Sequence, residues 1–291
     1  RLWLAAGHYR NRSSNQLLPY ALPPNTGHTS IQVNLPAVVQ NTGWEFEFSA
    51  TNILNSRFSW STDANISFPR NRLVSYPDIE RSSLANTYEV GQPLDIIKVH
   101  RYLGVDSETG ENMFEDTNGD GTINTADRQL HRTVGQIFHG GIQNSFNING
   151  LQLDVFVQFV KQEGMLFLPF YPPGYMENRP RFVMDRWRAP GDRSPNQRFT
   201  QDLSTQFSYD NIRMSERGVG NTSFVRIKNV SCSYVMPSRI SDKIKSRRIR
   251  VYAQGQNLFT FTPYKGLDPE NAAPSALPPL RALSAGIDVT F

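Results

Sequence analysis

Apolar and polar residues alternate with a period of two along much of this chain. From Trp44 to Ala50 the apolar residues occupy every second position, and the same pattern runs from Leu283 to Phe291. Alternation of this kind is typical of β-strands with one apolar and one polar face. We therefore predict no amphipathic helix and about eight strands, near residues 2–12, 42–54, 57–69, 136–148, 151–163, 223–236, 247–261 and 281–291.

The links between these strands alternate in length. The short links are Asn55–Ser56, Asn149–Gly150 and residues 237–246, and the long ones are residues 13–41, 70–135, 164–222 and 262–280. An Asn-Gly pair between two strands predicts a type I′ hairpin. A change of phase around Lys228 and Asn229 predicts a β-bulge in the sixth strand.

Alternating antiparallel strands suit either a soluble β-sandwich or a transmembrane β-barrel. Nothing in a sandwich requires its links to be short at one end and long at the other, whereas outer-membrane barrels have this asymmetry. Closure of a barrel also pairs every backbone polar group that would otherwise face lipid. We predict an all-β fold, an antiparallel transmembrane β-barrel, of which this chain is the C-terminal segment with long extracellular loops.

The composition supports a β-barrel segment with one apolar and one polar face. Only 38% of residues are hydrophobic and 19% are charged, against about 25% charged in an ordinary domain. A polar lumen accounts for the small apolar fraction, and no apolar run reaches the roughly 18 residues of a transmembrane helix. Cys232 is the only cysteine, which excludes an intrachain disulfide and cysteine-based zinc sites.

The formal net charge is +4, and one dense basic run spans residues 243–250. Such a run either binds phosphates of nucleic acid or lipid, or forms a solvated turn before a strand. We favour the solvated turn and predict no nucleic-acid partner.

The most specific local motif spans residues 116–127. Oxygen-bearing residues stand at positions 1, 3, 5, 7, 9 and 12 of this loop, with glycine at position 6: Asp116, Asn118, Asp120, Thr122, Asn124 and Asp127. Calcium takes six to eight oxygen ligands, and this spacing matches a calcium loop in which Thr122 contributes its backbone carbonyl. Because position 12 is Asp and not Glu, the loop resembles that of dockerin modules. We predict a structural Ca²⁺ here, with an ion-free Asn/Asp/Gly turn as the alternative.

Enzyme signatures are absent from the sequence. It has no phosphate-binding glycine loop, no H-E-x-x-H and no G-x-S-x-G, and we predict that the protein is not an enzyme. The long link 164–222 is rich in aromatic residues, which either bind sugars or a partner protein or pack the loop itself: Phe167, Phe170, Tyr171, Tyr175 and Trp187.

Several stretches together resemble one family. They are residues 41–45 (NTGWE), the loop 116–127, residues 140–144 (GGIQN), 223–230 (SFVRIKNV), 255–259 (GQNLF), 266–270 (GLDPE) and the terminal Phe291. In this order and spacing they are similar to the C-terminal part of a SusC/RagA-type TonB-linked outer-membrane transporter of Bacteroidota. Leu277-Pro-Pro279 and Cys232 depart from the usual family pattern, which leaves the loop contacts near them open.

The resemblance implies a 22-stranded barrel with an N-terminal plug, of which residues 1–291 are about eight strands without plug, TonB box or signal peptide. It implies import of oligosaccharides or peptides across the outer membrane, with energy from TonB–ExbB–ExbD through the N-terminal part. A SusD-like surface lipoprotein would cover the mouth, and Phe291 would serve as the terminal signal for barrel assembly. The long links would then be extracellular.

Two other classes stay open at this point. One is a soluble calcium-dependent glycan-binding or adhesion β-module, which the calcium-like loop also suits. The other is an outer-membrane barrel enzyme, which needs a nucleophile beside a base, and no such pair is marked in the sequence.

Overall fold

The computed structural model describes residues 1–22, 24–167, 171, 173–174, 178–271 and 276–291. The strands are β1 Leu2–Ser13, β2 Gln16–Ala21, β3 Ser30–Leu35, β4 Val38–Leu54, β5 Phe58–Ser75, β6 Ile96–Val99, β7 Tyr102–Val105, β8 Asn112–Phe114, β9 Leu130–Thr133, β10 Gly135–Ile148, β11 Leu151–Met165, β12 Val219–Asn221, β13 Phe224–Val235, β14 Arg248–Phe261 and β15 Ala282–Thr290. The α-helices are α1 Leu203–Arg213 and α2 Ser238–Lys243. Single 3₁₀ turns lie at Pro24–Thr26, Ile79–Arg81, Thr125–Asp127, Arg181–Met184 and Glu216–Gly218.

One antiparallel sheet contains all eight predicted strands. Its order is β1-β4-β5-β10-β11-β13-β14-β15, and the short β12 pairs with the end of β11. β4 and β5 run further than predicted, since their ladder continues to the pair Val38 and Ser75. The prediction of consecutive antiparallel strands is confirmed, and each long strand pairs with the next one along the chain.

The register of the sheet collects apolar side chains on one face. Trp44 lies opposite Phe68 in the β4–β5 pair, and Val157 of β11 lies between Ile142 and Ile227. Because side chains alternate along a strand, this face is apolar from strand to strand, and the opposite face is polar. Among the described residues, no helix is long and apolar enough to cross a membrane.

The predicted turns and bulge form as expected. Asn149 and Gly150 both have positive φ, 49° and 88°, which fits the type I′ hairpin. β13 has a register shift that leaves Lys228 unpaired, because Ile227 and Asn229 pair with successive residues of β11. The link between β4 and β5 is one residue longer than predicted and includes Arg57.

The long links contain structure that the strand pattern did not predict. Short hairpins β2–β3 and β7–β8 and the pair β6–β9 lie within them. Where β4 and β5 project beyond the rest of the sheet, Leu73 and Ile79 lie in a small core with Leu35, Ala37 and Tyr76. We call this end of the sheet the long-link end, and the other the short-link end.

The prediction of no helix is wrong for α1. Tyr209 and Ile212, three residues apart on this helix, are buried against Phe114 of β8. Apart from such positions the helix is mostly polar, with the sequence LSTQFSYDNIR. An apolar face this narrow gives little hydrophobic periodicity at 3.6 residues, so the sequence pattern does not predict the helix. Its stability comes from the tertiary contact with Phe114.

We expect Val157→Arg in the full-length protein to destabilise the sheet by about 2–4 kcal/mol, because it places a charge on the apolar face. Gln143→Arg is the matched control, since this residue lies on the polar face opposite Asp63. Heat-modifiable mobility in detergent and urea unfolding in lipid vesicles measure the difference. Equal stability of the two variants would contradict an apolar face that contacts lipid.

Candidate functional site

Two long links fold together at the long-link end of the sheet. The backbone N–H of His100 donates to Met214 O at 2.8 Å, and Glu216 N–H donates to His100 O at 3.0 Å. Arg198 forms an ion pair with Glu111 at 2.8 Å. We call residues 94–134, together with the described residues of 166–222, the cap. It is a polar unit held by hydrogen bonds between segments distant in sequence.

Trp187 joins the two links of the cap by contacts with Ser107 and Gly110. Its indole Nε1–H donates to Ser107 O at 2.8 Å, and its ring lies over Gly110 so closely that a Cβ there would be 2.4 Å from Cε3. Gly110 also has a positive φ of 75°, so only glycine suits this position. For Trp187, loop packing is therefore the observed role. The ring centroids of Phe167 and Tyr171 are 4.7 Å apart, with the rings tilted by 53°, while Phe170 and Tyr175 lie outside the described residues.

A cavity of about 750 Å³ opens where the polar face of β1, β4 and β5 meets the cap. Its lining combines amides, hydroxyls and charges of both signs: Tyr9, Asn41, Asn71, Asp95, Arg132 and Gln136. The ring of Tyr9 lies across Gly43 of the neighbouring strand. Arg132 Nη2 pairs with Glu163 at 3.2 Å. The Nε of Arg132 is buried and has no hydrogen-bond partner among the described residues. A cavity of this size and polarity can hold a small polar oligomer.

Arg226 of β13 carries the main buried charge of the polar face. Its side chain is 1% exposed and contacts Asp268 at 2.6 Å and Glu270 at 2.8 Å. Its Nε donates to Thr260 Oγ1 at 2.9 Å, and the guanidinium lies 5.0 Å from the ring of Phe224. Every nitrogen of the guanidinium has a partner, so the charge is fully compensated.

This ion cluster holds the last long link against the sheet. Gln162 of β11 adds to it, because its Nε2 donates to Pro269 O at 2.7 Å and to Thr222 O at 3.2 Å. A second cavity, of about 490 Å³, lies between β14 and this link. In the sequence, residues 223–230 and 266–270 stand out only through the family resemblance. Their opposite charges are the one sequence signal for their pairing.

The calcium-like loop is folded into a tight turn. Asp116 accepts N–H bonds from Gly119 and Gly121, both at 2.8 Å, and the two glycines have positive φ of 71° and 79°. Asn118 and Asp120 are hydrogen-bonded to each other at 2.9 Å. The structure therefore brings together the first three predicted ligands.

The last three predicted ligands form hydrogen bonds within the turn. Asn124 Oδ1 caps the 3₁₀ turn by accepting Ala126 N–H at 2.8 Å, and its Nδ2 donates to Thr122 O at 3.0 Å. Asp127 is buried, and the N–H of Asn124 is the main cause that holds the pKa of its carboxyl below the usual value. Among the described residues no three His, Cys, Asp or Glu side chains form a group that could hold a metal ion. The oxygen donors suit calcium chemically, but their three carboxylates do not converge.

His100 lies behind this loop, fully buried. Its Nε2 accepts a hydrogen bond from Arg128 Nε at 3.1 Å, so the ring is neutral. Burial, with Arg128 beside it, lowers the pKa of the imidazole. The residue has a structural part in joining β6 to the segment after α1.

The remaining predicted features lie at the short-link end. The basic run passes through a turn in which Lys245 has a φ of 56°, and Arg250 comes within 3.8 Å of Asp288, as expected for a solvated turn. Phe291 follows β15 and is 77% exposed. Its part in assembly stays a prediction.

No protein-family model matches the chain. TonB-dependent receptor P3 of Formosa agariphila is 28% identical over 299 residues, which cover 93% of this chain and 29% of that protein. TonB-dependent receptor SusC of Bacteroides thetaiotaomicron is 24% identical over 295 residues, 91% of this chain and 27% of SusC. The solved RagAB peptide transporter superposes over the whole chain with a TM-score of 0.78 at 21% identity, covering 34% of that structure.

The chain is similar to part of a SusC/RagA-type TonB-dependent receptor. It spans about a third of the length of these relatives. The predicted fold class, a segment of an antiparallel outer-membrane β-barrel, is confirmed, and so is the outer-membrane location. These relatives are named as receptors and transporters, which supports the prediction of a protein that is not an enzyme.

In the full-length receptor we expect Arg226→Met to cost about 3–5 kcal/mol, because Asp268 is left buried without its partner. Lys228→Met is the matched control: its contact with Glu270 is long, 3.9 Å, and partly exposed, so its loss costs about 0–1 kcal/mol. Unfolding temperature in detergent and protease cleavage within residues 262–281 report the effect. Asp268→Leu in the Arg226→Met background is expected to restore part of the lost stability; additive losses would contradict the pairing.

Proposed function

We propose that this chain forms part of the wall and mouth of an outer-membrane importer that takes up nutrient oligomers with energy from TonB. The observation that carries the proposal is the two-faced antiparallel sheet, apolar on one side, whose polar side meets the cap around a cavity of about 750 Å³. Similarity to TonB-dependent receptors over more than nine tenths of the chain supports it.

Each part has a physical task in this proposal. The apolar face contacts lipid, and the continuous ladder pairs the backbone groups that lipid cannot. The polar face lines the lumen, where amides and hydroxyls around Tyr9 and Asn41 offer hydrogen bonds to a polar substrate. The Arg226 cluster holds the last long link against the wall, so that the lumen keeps a fixed shape at this end.

The partners follow from the relatives. Two of them are called SusC and RagAB, the latter a peptide transporter, and we propose a SusD-like lipoprotein over the mouth. Coupling to TonB–ExbB–ExbD would pass through the N-terminal part of the full-length receptor. The import of nutrient oligomers is the shared function, and both oligosaccharides and peptides are candidate substrates.

Uptake by cells tests the proposal. A strain that lacks the receptor gene is expected to lose TonB-dependent uptake of labelled oligomers, and the full-length gene restores it. We expect Tyr9→Ala to lower uptake about tenfold at limiting substrate, which corresponds to ~1.4 kcal/mol of lost binding.

Tyr252→Ala is the matched control for this experiment. Tyr252 lies across Gly286 as Tyr9 lies across Gly43, but it is on β14 and does not line the cavity. Normal surface levels of both variants are checked by antibody. Equal uptake by the two variants would remove the cavity from the transport route, and unchanged uptake in the deletion strain would refute the proposed function.

We also propose that the loop 116–127 binds Ca²⁺ in a structural role. Its support is the complete set of oxygen donors and a turn already formed around Gly119 and Gly121. Binding would draw the carboxylates of Asp116, Asp120 and Asp127 towards one point.

Calorimetry on the full-length receptor tests calcium binding. We expect a Kd of about 10⁻⁴–10⁻³ M, the range of extracellular calcium modules, and a rise in the unfolding temperature of the cap with added Ca²⁺. Asp116→Ala with Asp120→Ala should abolish both effects. Asp106→Ala is the control, since Asp106 also accepts turn N–H bonds, from Glu108 and Thr109, outside the loop. Equal binding by all variants would show that the loop holds no calcium.

A further inference from the structure

One short segment of the cap has an excess of positive charge. Residues 178–198, which we call the arginine loop, contain six arginines, two aspartates and no lysine. The whole chain has 30 Lys+Arg and 26 Asp+Glu, so the rest of it has 24 of each. These 21 residues at the long-link end thus carry a formal charge of +4, while the basic run 243–250 at the short-link end has five basic and no acidic residues.

Three of the six arginines face solvent, and in the described part of the chain the one carboxylate bonded to them, Asp192, accepts only the backbone N–H of Arg188, at 3.1 Å. Arg181, Arg188 and Arg193 are exposed, and none of them forms an ion pair among the described residues. Arg188 gives one N–H to Met184 O at 3.2 Å. Arg198, by contrast, is engaged with Glu111. The exposed guanidinium groups are thus available to a ligand.

The arginine loop is held in a fixed shape. Asn196 Nδ2 donates to the carbonyls of Phe182 and Asp185 at 3.1 and 2.8 Å, and Trp187 N–H donates to Asn196 O at 2.9 Å. Gly191 N–H reaches Ser107 O at 2.8 Å, which ties the loop to the other link of the cap. A rigid display of guanidinium groups lowers the entropic cost of binding a charged partner.

We propose that the arginine loop binds oligosaccharides that carry carboxylate or sulfate groups, a substrate class that rests on the proposed import function. A guanidinium group binds carboxylate or sulfate through paired N–H bonds, and arginine suits this better than lysine. Several exposed guanidinium groups can bind several negative groups of the same oligosaccharide.

The surface suits a charged glycan better than a protein partner. A protein interface buries an apolar core with aromatic anchors, and among the described residues of this surface the exposed large apolar side chains are few. Met184 and Phe199 are exposed, but Arg186 covers one face of the Phe199 ring at 3.7 Å. Trp187 and Val183 are turned inwards. The charged side chains that remain exposed in this loop are three arginines and Asp185.

Calorimetry on the full-length receptor in detergent tests this inference with four probes: an oligogalacturonate hexamer, a sulfated carrageenan hexasaccharide, neutral maltohexaose and a hexaglutamate peptide. We expect at least one anionic sugar to bind at least tenfold more tightly than maltohexaose, with affinity that falls as salt rises. Arg181→Gln, Arg188→Gln and Arg193→Gln together should weaken this binding at least tenfold.

The matched control removes the same charge at the short-link end, by Arg239→Gln, Arg247→Gln and Arg248→Gln, all exposed in the structure. It should bind as the parent does. Equal losses in the two triple variants, no preference for either anionic sugar over maltohexaose, or equal binding of hexaglutamate would each overturn the inference. TonB-dependent uptake of a neutral oligomer would still proceed in those cases, so failure here is distinct from failure of the proposed function.

Discussion

The backbone ladder of the long sheet is the constraint on which the rest of the structure depends. Lipid offers no hydrogen bonds, and each unpaired backbone group exposed to it costs several kcal/mol. Strands that face lipid must therefore pair without interruption, and a slip of one residue would turn every apolar side chain to the polar side. The register shifts at Lys228 and between Gln136 and Phe138 are local exceptions, and the apolar face continues across both strands.

The Arg226 cluster meets the opposite problem, a charge taken out of water. Burial of a guanidinium is costly unless its partners are close and complete, and here Asp268, Glu270 and Thr260 supply them. The two carboxylates come from the last long link, which is also joined to the sheet through hydrogen bonds of Gln162, Asn257 and Thr262. Without these carboxylates the buried charge of Arg226 would destabilise the sheet. Their pairing with Arg226 therefore fixes the position of the last long link.

How far sequence predicts this protein depends on the range of the interactions. The strands and the Asn149–Gly150 turn follow from local alternation and turn chemistry, which are readable within about ten residues. The cap depends on contacts between segments far apart, such as Arg198 with Glu111 and Trp187 with Ser107, and no local pattern reports them. Helix α1 also depends on such a contact, with Phe114, and is therefore not predicted by its own sequence pattern. The calcium-like loop was found by its spacing, but spacing alone did not disclose that Asp127 faces inwards to Thr117 and Asn124.

The wall and the cap divide the physical tasks between them. In the wall, stability comes from a ladder whose side chains are constrained by lipid on one face, so substitutions there are limited by hydrophobicity and register. In the cap, stability comes from buried polar contacts around Asn196 and Gln197 and from the apolar cluster of Phe114, Tyr209 and Ile212, and the exposed side chains contribute little to it. The exposed residues of the cap are therefore free to vary in charge without unfolding the barrel. Under the proposed function, the cap can therefore change what is recognised at the mouth while the sheet stays the same.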